Sequence, residues 1–307
     1  MIDILLASCN SAPFLRQQID SILAQSETDW RLLIRDGGST DETLDIIREY
    51  CRDYPGKIVF LESKPASALE NFSELLSHST GELVMFADHD DLWLPEKIAQ
   101  SVQMLHEMEK EFGETVPLCV FTDAFVTDED LRVICDSNLA NQHLDPVAGL
   151  SPSKLLVQNV PSGNTMLFNA KLRTLINPIP VSAVMHDHYT ALAAACLGRI
   201  RCLPEKTLYY RQHGKNVLGS SRYSLAGMFR KFFQGTGIVR KRFFANCRQA
   251  AALLEQCRDV LDPEIRDVLA EFAVMEKLNW FQRRTLIIRR GLWKNGFLRN
   301  LGMLLII

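Results

Sequence analysis

Leu83-Val84-Met85-Phe86-Ala87-Asp88-His89-Asp90-Asp91 is the stretch that decides the fold. Its apolar run reads as a buried strand, of the kind that lies inside a parallel sheet. The strand ends in three carboxylates within four residues, Asp88, Asp90 and Asp91, which puts dense negative charge at the carboxyl edge of that sheet. Like charges so close repel, and each carboxylate resists losing water unless something positive joins it. A divalent cation with oxygen ligands relieves both costs, and Mg2+ or Mn2+ there is able to hold a diphosphate. A solvated acidic turn is the competing reading. The buried strand before the run and Trp93-Leu94-Pro95 after it weigh against that.

Outward from this strand, apolar runs alternate with helical patterns. Residues 2–8 read as a strand followed by Asn10-Ser11-Ala12-Pro13, after which Phe14, Ile19, Ile22 and Leu23 recur at helical spacing. Arg31–Arg35 is a second strand running into Asp36-Gly37-Gly38, and Ser39 and Glu42 stand at capping-box spacing to open a helix to about Arg52. Ile58–Glu62 is a third strand, Ala68–His78 a helix, and Pro95 starts another helix reaching about Phe112. Strand Leu118–Val126 comes next, then a segment over 151–176 holding Ser162-Gly163-Asn164-Thr165 and the short apolar run Met166-Leu167-Phe168. An Ala-rich helix from Asp187 to Leu197 and short strands at Arg199–Leu203 and Thr207–Arg211 follow. The alternation predicts an α/β protein with a Rossmann-like, mostly parallel sheet and helices on both faces.

A chain of 307 residues suffices for one large α/β domain and a smaller appendage, and 47% hydrophobic content supplies a sizeable core. The net charge of −3 hides an asymmetry. From Arg222 onward sixteen Lys and Arg face seven Asp and Glu, so the tail carries +9 and the first 221 residues −12. Eight cysteines (Cys9, Cys51, Cys119, Cys135, Cys196, Cys202, Cys247 and Cys257) form no C-x-x-C pair. They read as reduced core residues of a cytoplasmic protein, not as a disulfide frame or zinc site. Met1-Ile2-Asp3-Ile4-Leu5-Leu6 enters a strand directly, without the basic flank and cleavage site of a signal peptide. No apolar stretch reaches the roughly 18 residues that a spanning helix needs.

Ligands of open α/β sheets bind beyond the carboxyl ends of the strands. Three such ends carry small or polar residues here: Ala7-Ser8-Cys9-Asn10, Asp36-Gly37-Gly38-Ser39 and the acidic run. Neither G-x-G-x-x-G nor a P-loop is present. That excludes the dinucleotide fingerprint and leaves a phosphate site built from carboxylates and metal. Asp36 is placed either to accept a hydrogen bond from a pyrimidine N3–H or to shape a turn before Gly37-Gly38.

Taken in order, Ser8-Cys9-Asn10, Asp36-Gly37-Gly38-Ser39-Thr40-Asp41 and Asp88-His89-Asp90-Asp91 followed by Pro95 resemble the inverting family 2 glycosyltransferases of GT-A fold, over roughly residues 1–220. Ser162-Gly163-Asn164-Thr165, His186-Asp187 and Tyr210-Arg211-Gln212-His213-Gly214-Lys215-Asn216 further resemble members that transfer rhamnose or related sugars in bacterial surface polysaccharide assembly. The resemblance implies that Ala7, Ser8, Asn10 and Asp36 hold the nucleotide of a nucleoside diphosphate sugar and that Asp88 reaches its ribose. It implies that Asp90 coordinates the Mn2+ or Mg2+ ion bridging the diphosphate, that Asp91 meets the donor sugar or supports the metal shell, and that His213 completes the metal or phosphate contacts. Gly163 and Asn164 then line the acceptor side.

Asp187 becomes the general base. It would take the proton of an acceptor hydroxyl attacking the anomeric carbon opposite the leaving diphosphate, worth about 10²–10⁴-fold in rate. Charge stabilisation by the metal is the larger electrostatic contribution, and no covalent enzyme intermediate is needed. One departure stands out: many relatives have Glu before this Asp, where this chain has His186.

Several residues keep two readings. Asp187 also sits where a helix begins and so reads as an N-cap. Arg211, after two tyrosines at a strand end, pairs with phosphate or makes a structural ion pair. Trp93 stacks on the acceptor sugar or closes the start of its helix against the core. His186 and His188 flank Asp187 at a spacing that selects no single coordination face, and read as surface or supporting residues.

The sequence thus divides into a catalytic domain over 1–220, with a nucleotide-binding half over about 1–115 and an acceptor half over 116–220, and a basic amphipathic helical extension over 221–307. Arg222 to Arg248 holds seven cations and no acid, interleaved with Met228, Phe229, Phe232, Phe233, Ile238, Val239, Phe243 and Phe244. Lys277 to Ile307 holds seven more without an acid, among Trp280, Phe281, Leu286, Ile287, Trp293, Phe297 and Leu301. Basic amphipathic helices of this type lie in anionic membrane surfaces, here the inner face of the cell membrane, which suits a lipid-linked acceptor. Packing on the catalytic body or on a second copy in a homodimer is the other reading. Nucleic acid is a poor fit to an acidic body with no recognition module. A nucleotidyltransferase of related fold and a non-catalytic nucleotide-sugar-binding scaffold are the functional alternatives.

Overall fold

The computed structural model of the chain describes residues 1–62, 64–214 and 236–307. Lys215 and Asn216 of the motif near Arg211, and the cations and aromatics from Arg222 to Phe233, lie outside the described residues.

The chain runs β1 (Ile2–Ser8), α1 (Leu15–Leu23), β2 (Trp30–Asp36), α2 (Thr43–Asp53), β3 (Ile58–Phe60), α3 (Ala68–His78), β4 (Leu83–Asp88), β5 (Leu92–Trp93) and α4 (Lys97–Phe112). It continues through β6 (Leu118–Thr127), β7 (Val133–Cys135), α5 (Asn138–Asn141), α6 (Pro152–Leu155), β8 (Met166–Asn169), α7 (Ala170–Ile176), α8 (His186–Leu197) and β9 (Arg199–Arg211). After the undescribed stretch come α9 (Thr236–Cys257), α10 (Pro263–Ala273), α11 (Trp280–Arg289) and α12 (Phe297–Ile306).

Every residue of β1 is buried, as a strand covered on both faces must be. It pairs in parallel with β2 and β4, and β2 with β3. Antiparallel β8 then joins β4 to β6, and β9 lies parallel to β6. Among the described residues the sheet order is β3-β2-β1-β4-β8-β6-β9-β5, with β7 on β6. Side chains alternate across β1 with period 2. Ile4 and Leu6 enter one core with Leu15, Ile19 and Ile47. Leu5 and Ala7 enter the other with Phe72, Leu75, Phe86 and Phe168, and that same core takes in Phe243, Phe244 and Leu253 of α9 and Leu269 and Phe272 of α10.

Two local expectations change. The two short strands expected at 199–211 are one, β9, which stays paired to β6 because the ladder shifts register between Thr122 and Phe125. Ser39 does not cap α2: its hydroxyl donates to Asp36 Oδ1 at 2.6 Å, and the helix opens at Glu42 with no side-chain cap. A capping box does form at Ser67 and Glu70, before α3.

Candidate active site

The parallel register fixes where the polar strand ends meet. Ser8 stands beside Asp36 and Ala7 beside Asp88, so the ends of β1, β2 and β4 make one rim. Asp36 is buried in the turn it shapes. Its Oδ2 accepts from the Gly38 and Ser39 amides at 2.9 and 2.7 Å, and its Oδ1 from the Ser8 hydroxyl at 3.1 Å. Gly38 takes φ +100°, and a Cβ there would meet Pro65 at 2.9 Å, so the turn needs glycine twice over. Asn10, at φ 49°, knits the two loops together. Its amide donates to Ser39 Oγ at 2.7 Å and its Oδ1 accepts from the Thr40 amide at 2.9 Å.

Beyond this rim opens a cavity of about 830 Å³. Ala7, Ser8, Asn10, Asp88, Asp90, Gly163, Asp187 and His213, far apart in sequence, all line it. Burial pushes the Asp88 carboxyl up to about 8, and the neighbouring charges of Asp90 and Asp187 add to the shift. His213 Nε2 lies 2.8 Å from Asp90 Oδ2, and its ring stacks on Phe14 with centroids 4.7 Å apart.

Asp187 is the second residue of α8, not its N-cap; Met185 holds that position and makes no side-chain cap. The carboxylate accepts from the His188 amide at 2.6 Å. Burial lifts it to about 6 against the opposing pull of the His188 and Gly163 amides.

Asp36, Asp91, Trp93, Asn164 and Arg211 do not line the cavity. Asp91 is buried behind it, accepting from Asn164 Nδ2 and from the Arg211 amide at 3.3 Å. Burial, then Asp90 and Asp88, raises its carboxyl well above the ordinary range. Arg211 has its guanidinium engaged by the protein itself: Nε donates to Asp90 O at 2.9 Å, Nη1 to Glu129 O at 2.6 Å and Nη2 to Gln17 Oε1 at 2.6 Å. It straps the acidic loop in place, so the phosphate reading gives way to a structural one. Trp93 is buried, with the Lys97 ammonium 4.8 Å from its ring centre, so it closes the start of α4 and meets no acceptor.

Lys97 escaped the sequence reading. It is fully buried, burial lowers its amine to about 7 against the attraction of Asp91, and Nζ reaches Thr207 Oγ1 at 3.4 Å. No sequence signal marks it, because its partners come from β5 and β9. His186 and His188 are buried, contrary to a surface role. His188 Nε2 lies 2.6 Å from Leu155 O, whereas His186 lines the cavity.

The curled α/β sheet with helices on both faces, its polar strand ends gathered on one cavity, is the GT-A fold. Residues 3–114 match the family described as Glycosyl transferase family 2. The chain is 27% identical over 220 residues to an uncharacterized glycosyltransferase of Nostoc sp., covering 70% of this chain and 66% of that protein. It is 32% identical over 105 residues to the dTDP-rhamnosyl transferase RfbG of Shigella flexneri, covering 33% of this chain and 36% of the relative. Among solved structures, the mannosyltransferase PcManGT from Pyrobaculum calidifontis in complex with GDP-Man and Mn2+ superposes with TM-score 0.55 at 19% identity, covering 98% of this chain and 86% of that one. The chain spans 61–66% of the length of the curated relatives that match most of it.

Proposed function

We propose that this chain is an inverting glycosyltransferase that takes a sugar from a nucleoside diphosphate donor and passes it to a hydroxyl of a saccharide or lipid-linked saccharide. The convergence of Asp88, Asp90, Asp187 and His213 on one cavity at the carboxyl rim of the sheet carries this reading. The turn at 9–10 frames the nucleotide, braced from behind by the turn at 36–39, and Asp88 faces its ribose.

Asp90 offers a carboxylate, a donor that Mg2+ or Mn2+ accepts, and the His213 imidazole beside it is a softer donor that would favour Mn2+ over Mg2+. Among the described residues no three His, Cys, Asp or Glu side chains gather into a group that could hold a metal ion. Burial, and then the charges of Asp90 and Asp187, raise the Asp88 carboxyl, and a cation beside these carboxylates would favour their ionised forms. When bound, the ion supplies positive charge opposite the departing diphosphate. Asp187 takes the proton of the attacking hydroxyl: ionised at neutral pH, it is a stronger base than an ordinary carboxylate. Arg211 and Asn164 hold the loop that carries Asp90 and Asp91.

Likeness to a dTDP-rhamnosyl transferase nominates dTDP-rhamnose as donor and polysaccharide assembly as the setting. The exposed Trp280, Phe281, Phe297, Leu301 and Leu305 of α11 and α12 support attachment to a membrane face that presents a lipid-linked acceptor. Among the described residues no helix is long and apolar enough to cross a membrane.

Calorimetric titration of UDP-, dTDP- and GDP-sugars with and without Mg2+, followed by the anomeric configuration of the product, tests the proposal. Asp90→Ala is expected to abolish metal-dependent donor binding with thermal unfolding unchanged. Unaltered affinity removes the metal assignment, and a product of retained configuration removes inversion.

A further inference from the structure

We infer that His186 and Asn159 form a subsite that reads the hydroxyls of the acceptor saccharide, with His186 setting which sugar is accepted. The inference rests on the glycosyl-transfer reading of the cavity and says which of its walls recognises the acceptor. His186 is 5% exposed, and neither ring nitrogen has a partner among the described residues. Its ring lies on Phe72, centroids 3.7 Å apart, and edge-on to Phe86 at 4.6 Å. Asn159 donates Nδ2 to Pro161 O at 2.8 Å, which fixes the orientation of its amide. Its Oδ1 is left buried and unpartnered among the described residues. Both side chains line the cavity that holds Asp187.

Buried polar atoms without partners destabilise a fold, and several beside one cavity mark a place where a ligand completes the bonding. Burial holds the His186 imidazole down to about 3, so at neutral pH it offers one donor and one acceptor. Asn159 Oδ1 offers an acceptor only. Adjacent sugar hydroxyls, each donor and acceptor at once, answer all three positions, whereas a carboxylate or phosphate answers only the donor. Leu144 and Val160, which also line the cavity, offer the C–H face of a pyranose an apolar surface.

Placement points to the acceptor and away from the donor. A Cβ on Gly163 would stand 2.7 Å from His186 Nε2 and 3.3 Å from Asp187 Cβ, so the bare Gly163 backbone is what lets the imidazole sit against the base.

His186→Phe keeps the ring and its stacking while removing both nitrogens, and Asn159→Leu is its near-isosteric counterpart. Each is to be compared with the wild-type chain using the accepted nucleotide sugar and a panel of methyl glycosides and their monodeoxy analogues. Both variants are expected to fold with unchanged or higher melting temperature and unchanged donor affinity. Acceptor kcat/KM is expected to fall about tenfold, mainly through KM. The penalty for the matching deoxy acceptor should vanish in the variant. Unchanged kcat/KM and deoxy discrimination in His186→Phe overturns the subsite.

Histidine ¹³C NMR provides a second readout, the His186 signal being assigned by its loss in the variant. Methyl glycosides added to the nucleoside-diphosphate-bound wild type are expected to shift that signal, and no shift with any glycoside overturns the subsite. A shift without turnover by the wild type sinks the transfer reading and leaves the sugar site standing.

Discussion

Asp187 works against the stability of the fold that holds it. Its folded pKa of about 6 lies above the ordinary value of 3.8, so the folded chain binds this proton more tightly than the unfolded chain. Stability is therefore lost as pH rises from the unfolded value towards 6, a penalty on the order of 3 kcal/mol at neutral pH. Asp187→Asn is expected to raise the melting temperature at pH 7–8, with the gain shrinking to nothing below about pH 4. The same change should cut kcat by about 10²–10⁴. For the wild type, kcat/KM should climb about tenfold per pH unit up to roughly 6 and then level. Rates and melts over one pH series check both, and a flat profile through pH 6 removes Asp187 as the base. Asp88 and Asp90 stood out in the sequence because acidic clusters after apolar runs are chemically conspicuous, whereas Asp187 was singled out only by the family resemblance, its residues alone reading as an N-cap. Asp91, Trp93 and Arg211 were not legible, because distant partners decide their roles: Asn164 and the Arg211 amide for Asp91, Glu129 and Gln17 for Arg211.

β1 carries a carboxylate that its apolar pattern gives no reason to expect. Asp3 is fully buried, yet its oxygens accept from Arg31 Nε and Nη2 at 3.0 Å each, from Ser79 Oγ at 2.9 Å and from the Thr80 and Gly81 amides at 2.7 and 2.8 Å. These bonds tie β1 to β2 and to the turn before β4, and so hold the register that aligns Ser8, Asp36 and Asp88. Burial pushes the Asp3 carboxyl up, but Arg31, Gly81, Ser79 and Thr80 outweigh it and leave the pKa below the ordinary value. A depressed pKa contributes stability that is present above the unfolded value and lost as pH falls through the folded one. Asp3→Asn should therefore cost about 2–4 kcal/mol at neutral pH, and the gap to wild type should close in acid as the wild type protonates. Urea melts at pH 7 and pH 3 measure it; equal stability at pH 7 refutes the anchoring role. Strands and helices themselves were readable from periodicity, since β1, β2, β4 and α3 lie where the apolar runs place them. What failed at this scale was local chemistry with a competing partner: Ser39, spaced to cap a helix, bonds the nearer Asp36.

Charge divides the whole molecule into an acidic body and a basic tail, and that division was legible by counting. The sharing of one core was not, because it requires knowing that Phe243, Phe244 and Leu253 meet the Phe72 side of the sheet. Gln249 Oε1 also accepts from the Val184 amide at 2.8 Å, just before the helix that carries Asp187. Truncation after Gly219 would strip this core, so loss of membrane binding by the shortened chain would report unfolding. Surface substitutions are the cleaner probe. Phe297, Leu301 and Leu305, spaced four apart on α12, are 79%, 44% and 62% exposed, and Phe281 of α11 is 76% exposed. Arg284 stacks 3.3 Å over Trp280 and donates to Leu304 O, binding α11 to α12 so that their open apolar faces lie together. An exposed apolar stripe of this kind matches the interface of an anionic bilayer, where apolar burial contributes and each cation near the surface adds roughly 1 kcal/mol. Replacing Phe281, Phe297, Leu301 and Leu305 together by Ser is expected to lower partitioning onto phosphatidylglycerol vesicles by more than about tenfold. Melting temperature and transfer to a soluble acceptor should not move, because none of the four lies in the core or the cavity. Salt should weaken wild-type binding to the same vesicles, since the cationic share of the attraction is screened. Equal partitioning of wild type and the fourfold variant would leave this face to a second protein copy, which analytical ultracentrifugation of the two chains would then distinguish.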